Sequence, residues 1–155
     1  MIRLMTTLLL VTLLLRSQAG RAQTCTVSTL STVFGSYSIF SGAPLTGTGG
    51  VTVTCTAVAS LNISYSIAGS TGSSGSYVTR SATSGAGSLA YQLYTTAAHG
   101  TVWGNGSGGT GLISDSYLLS LLQTTKQYQI YGQIPAQQNV PAGTYSDTIF
   151  VTLTY

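Results

Sequence analysis

From Cys25 onward, apolar and polar positions alternate with a period of two through most of the chain. In VTVTC, Val51, Val53 and Cys55 fall on one face, with Thr52 and Thr54 on the other. LNISYSI places Leu61, Ile63, Tyr65 and Ile67 opposite Asn62, Ser64 and Ser66. LAYQL aligns Leu89, Tyr91 and Leu93, and QYQIYGQI aligns Tyr128, Ile130 and Ile134 with the glutamines outside. TIFVTLTY ends the chain with Ile149, Val151, Leu153 and Tyr155 on one side. Successive side chains of a strand point to opposite sides of a sheet, so each run predicts a half-buried strand. Between the runs lie SGAPLTGTGG, GSTGSSGS, SGAGS and GNGSGGTG, which read as loops. Short strands separated by such turns predict an all-β antiparallel sandwich. SDSYLLSLLQTTKQ departs from the pattern: Tyr117, Leu118, Leu121 and Leu122 have helical spacing, and a helix or a strand fits residues 114–127.

The segment before Cys25 has a different character. Arg3 precedes the apolar run Leu4–Leu15, and small residues follow, with Ala19 and Ala22 as candidate cleavage positions. This is the pattern of a secretory signal peptide, and the apolar run is short for a bilayer span. Residues 1–22 are expected to be removed, which leaves 23–155 as a single domain without a membrane span. The formal charge of +3 then disappears, because Arg3, Arg16 and Arg21 leave with the leader. What remains, Arg80 and Lys126 against Asp115 and Asp147, is neutral and unclustered, which argues against a nucleic-acid partner. Both cysteines, Cys25 and Cys55, lie in the exported part. An oxidising compartment favours one intrachain disulfide; free thiols or intermolecular bridges are the alternatives.

Reactive side chains are few. The single histidine, His99, sits beside Gly100, and no serine stands in a G-x-S-x-G elbow. A surface histidine explains His99 more simply than a catalytic triad. One histidine, two distant cysteines and two aspartates do not form a metal set. GNGSGGTG lacks the lysine of a phosphate loop and reads as a hairpin loop. The expectation is a non-enzymatic protein with no cofactor and no catalytic, cofactor-binding or metal site.

Several motifs together carry a resemblance. They are CTV at Cys25, FGSY at Phe34–Tyr37, VTVTCT at Val51–Thr56 and LAYQLYT at Leu89–Thr95. WGNGSGG at Trp103–Gly109, YGQIPAQQ at Tyr131–Gln138 and GTYSDTIFVTLTY at Gly143–Tyr155 follow in order. The chain resembles the spore coat protein U family, which includes the subunits of Csu-type archaic chaperone–usher pili. The resemblance implies an immunoglobulin-like sandwich that lacks one edge strand, with a disulfide between Cys25 and Cys55. It implies an exported structural subunit of a pilus or surface coat. A periplasmic chaperone lends a strand to the open groove, and at the outer-membrane usher another pilin subunit replaces it. That exchange is a form of β-augmentation. Ile149, Val151, Leu153 and Tyr155 are the expected strand-pairing positions; ordinary core packing is compatible with the same pattern. Asp147 falls on the inward face of that run, in a bend or paired with Arg80 or Lys126.

A donor strand needs about ten residues at roughly 3.3 Å each. Only Gln23 and Thr24, or at most Gly20–Thr24, stand before Cys25 once the leader is removed. The expectation is an acceptor without a donor segment, which suits a tip or minor subunit. The rival readings are a self-contained secreted coat protein and an adhesive or carbohydrate-binding module. In the latter, an aromatic side chain, with Trp103 as the leading candidate, would meet a surface or glycan ligand. Packing of Trp103 beneath its own loop is the competing reading.

Overall fold

The computed structural model describes residues 23–119 and 123–155; the signal peptide expected at residues 1–22 lies outside them. Eight strands run in chain order: β1 Gln23–Val33, β2 Leu45–Ala57, β3 Leu61–Gly69, β4 Arg80–Ser84, β5 Gly87–Tyr94, β6 Ile113–Leu119, β7 Thr124–Ile134 and β8 Val151–Thr154. They form a five-stranded sheet, ordered β1-β2-β7-β5-β4, and a three-stranded sheet, ordered β6-β3-β8. All strand-to-strand pairings are antiparallel.

The alternation builds the core directly. Val51, Val53 and Cys55 of β2, Leu89, Tyr91 and Leu93 of β5, and Ile130 and Ile134 of β7 are buried on the larger sheet. Ile63, Tyr65 and Ile67 of β3 and Leu119 of β6 meet them from the smaller one. Cys25 of β1 lies directly opposite Cys55 of β2, and the two form a disulfide. Closing that 30-residue separation stabilises the fold by about 3.6 kcal/mol on a chain-entropy estimate.

The ambiguous stretch resolves as strand on both sides. Residues 114–119 belong to β6 and pair with β3, and residues 124–127 open β7; Leu121 and Leu122 lie outside the described residues. The helical spacing is overridden because Tyr117 and Leu119 both turn inward with period two. SGAPLTGTGG is a loop only in its first part, since β2 begins at Leu45. Glycine is required inside this strand because another part of the chain crosses it. A Cβ on Gly47 would stand 2.5 Å from the Val33 carbonyl oxygen, and one on Gly132 opposite would stand 2.5 Å from the Phe34 ring. SGAGS makes the tight β4–β5 hairpin, with Gly85 at φ 58°. The last strand is shorter than the alternation suggests: Ile149 precedes β8, and Tyr155 follows it.

Candidate functional site

An apolar groove of about 1100 Å³ lies over the inner face of the larger sheet. Its floor is Val51, Leu89, Tyr91, Leu93, Ile130 and Ile134. One wall is the chain from Thr29 to Phe40, which leaves β1 and crosses above β2 and β7. The other is Val140–Asp147, continuing through Ile149 to Val151 of β8.

Each wall is held by identifiable bonds. Phe34 packs edge-on against Tyr91, with ring centroids 6.1 Å apart. The Tyr37 hydroxyl donates to the Pro135 carbonyl at 2.9 Å and accepts from the Gln138 N–H at 2.7 Å. Gln138 in turn brackets Ala90: its side-chain amide donates to the Ala90 carbonyl, and its Oε1 accepts the Ala90 N–H. On the opposite wall, Ser146 exchanges two backbone hydrogen bonds with Thr83 of β4. Tyr145 donates to the Pro141 carbonyl at 2.9 Å.

Asp147 is anchored rather than ion-paired. One carboxylate oxygen accepts the Tyr91 hydroxyl at 2.6 Å, and the other accepts the N–H groups of Ser73 and Thr148. Burial works against its charge, but these donors outweigh it and hold the carboxyl below its ordinary value. Tyr91 moves the other way: burial, then the adjacent carboxylate, push its hydroxyl far above the usual range. Of the two readings open for Asp147, a bend or a pairing with Arg80 or Lys126, the pairing is not found among its bonds. Arg80 is fully buried, and its guanidinium donates to the Ser70 and Trp103 carbonyls and to Gln92 Oε1. It also lies over the Tyr77 ring. Lys126 instead stands over the Tyr117 ring, 5.1 Å from its centre.

The predicted pairing residues divide along β8. Val151 and Leu153 sit in register with Gly69 and Ile67 of β3. Ile149 and Val151 line the groove, and Leu153 packs against the core. Tyr155 is 40% exposed beyond the strand end. Among the described residues, no strand pairs with the other edge of β8. The groove therefore lies beside a strand with unpaired N–H and C=O groups.

Trp103 is not a surface platform. It is 2% exposed, donates from its indole N–H to the Ile67 carbonyl at 3.1 Å and contributes to the groove lining. Its ring lies flush on Gly69, where a Cβ would approach within 3.0 Å. The competing reading, a tryptophan packed beneath its loop, describes its position. His99 packs edge-on against Tyr94. The sequence reading did not anticipate the wall at Thr29–Phe40. Two glycines facing each other across β2 and β7, Gly47 and Gly132, were its available signal.

The family model for the Spore Coat Protein U domain matches residues 11–152. The chain belongs to this family. Protein U of Myxococcus xanthus is 38% identical over 119 residues, covering 74% of this chain and 63% of that protein. The chain thus spans somewhat under two thirds of that relative's length. The solved CsuC–CsuE chaperone–tip adhesion subunit pre-assembly complex, from the archaic chaperone–usher Csu pili of Acinetobacter baumannii, has a related fold. The TM-score is 0.54 over 86% of this chain and 40% of that one, at 20% identity. The stretches that carry the resemblance have structural counterparts here. YGQIPAQQ supplies Gly132 beneath Phe34 and the Tyr37 anchor, WG places Trp103, and GTYSD builds the second wall.

Proposed function

We propose that this protein is an exported, non-enzymatic structural subunit of a chaperone–usher pilus or a surface coat. Its groove accepts a β-strand laid along the free edge of β8. The observation that carries this reading is the coincidence of an open apolar groove with an unpaired strand edge. A donated strand satisfies both needs at once: its alternate apolar side chains cover the floor, and its backbone completes the ladder. The partners of this reading are a periplasmic chaperone, an outer-membrane usher and other pilin subunits. Membership of the spore coat protein U family and the fold shared with a Csu complex support it.

The test is thermal unfolding of the protein, exported into an oxidising periplasm, with and without a donor peptide. The peptide is taken from the N-terminal extension of a pilin encoded beside this chain. A ligand that binds only the native state, at about a hundred times its Kd, stabilises by about 2.7 kcal/mol. For a chain of this size that raises Tm by roughly 8 °C. Ile149→Asp, which charges the groove wall, should abolish the shift. A cooperative monomer whose Tm ignores the peptide would sink the strand-acceptor reading.

A further inference from the structure

The smaller sheet leaves β8 open on the groove, but the described residues have three other strand edges, and they are finished differently. The edge of β4 is bridged by Ser146 through two backbone hydrogen bonds. β6 carries the inward-turned Asp115, whose charge opposes a further strand beside it. β1 has neither device. Among the described residues it pairs with β2 alone, and the side chains from Thr26 to Ser31 are exposed. From Gln23 to Leu30 it contains no proline and no charged residue. A register shift after Leu30 limits the regular, pairable stretch to those residues.

The backbone groups on this edge can be assigned. Opposed residues of an antiparallel ladder alternate between close pairs without mutual hydrogen bonds, at about 4.5 Å, and wider bonded pairs, at about 5.5 Å. Cys25 and Cys55 have Cα atoms 4.1 Å apart, so theirs is a close pair. By the same alternation, Cys25, Val27 and Thr29 direct their N–H and C=O groups away from β2.

We propose that β1 is a homotypic interface, at which a second copy of this chain adds its own β1 antiparallel about Val27. The twofold operation brings Val27 against its counterpart and Cys25 against Thr29, so every outward backbone group meets a complementary one. Exposed Val27 and Leu30 supply apolar contact, and the uncharged strand places no like charges opposite one another. The five-stranded sheet becomes a continuous sheet through two molecules. This surface is distinct from the groove floor and centres on Val27; at its far end, Thr29 and Leu30 also belong to the groove wall.

Light scattering on the full exported chain, over a wide concentration range, tests this. The expected result is twice the monomer mass at high concentration, dissociating on dilution. Val27→Lys sets two cations face to face and should leave only monomer, while Val27→Thr should keep the dimer. Thr29→Pro removes an outward N–H without touching the β1–β2 ladder and should weaken the dimer while leaving the monomer's unfolding curve unchanged. A monomer at every concentration would overturn the proposal. So would association that survives both Val27→Lys and Thr29→Pro.

Discussion

Asp147 and the tyrosines show how single residues make this fold sensitive to pH at both extremes. The Asp147 carboxyl is held below its ordinary value of 3.8 by the Tyr91 hydroxyl and two backbone N–H groups. The unfolded chain therefore binds a proton before the folded one does. Its contribution to stability is fully present above the unfolded value and is lost as pH falls through the lower folded value. Thermal melts from neutrality into the acid range should show falling Tm, and Asp147→Asn should flatten that limb. On the alkaline side the sign reverses. Tyr128 donates to Asp115 and receives the Tyr65 hydroxyl, and burial, followed by these neighbours, pushes Tyr128 far up. Tyr117 is raised to about 12, first by burial and then by Tyr65. The neutral phenols are thus favoured by folding. Their stabilisation is complete below the ordinary tyrosine value of 10.0 and disappears as pH climbs above it. Tyr128→Phe should lower Tm at neutrality and make the alkaline decline shallower.

At the level of elements, the crossing of Phe34 over β2 and β7 ties the first groove wall to the larger sheet. Gly132→Ala forces its methyl to within 2.5 Å of the Phe34 ring. Overpacking of this kind costs about 1–3 kcal/mol. Chemical denaturation should show that loss, and adding Phe34→Ala should recover part of it, because the two sites share one contact. This contact also marks the limit of what the sequence makes legible. Alternation identified the buried faces of β2, β3, β5 and β7, because a one-residue slip would turn every apolar side chain to solvent. It missed the early start of β2 at Leu45, since Gly47 and Gly49 look like loop residues until Phe34 and Thr32 are seen against them. It overextended the last strand, because Ile149 turns inward before β8 begins, by lining the groove wall. Trp103 gave no periodic signal, and its place was decided by a long-range bond to Ile67. The groove is a relation between segments roughly a hundred positions apart, such as Tyr37 and Gln138, and no local pattern encodes such a distance.

Across the described residues of the molecule, charge is drawn inward. Arg80 is fully buried, and Asp115, Lys126 and Asp147 are only partly exposed, each engaged with an aromatic or hydroxyl partner. The remaining described surface is built largely from threonine, serine, glutamine and glycine, which gives it little long-range field. This arrangement also bears on how the chain meets a protease. Within residues 23–155, trypsin has two residues to recognise, Arg80 and Lys126, and both sit within paired strands. A protease needs an extended, detached segment, which neither site offers while the sheets are closed. Tryptic cleavage of the folded domain, residues 23–155, should therefore be slow and should accelerate sharply at the unfolding midpoint. Mass spectrometry should find both cuts appearing together, so that digestion acts as a gauge of how often the barrier between folded and open chain is crossed.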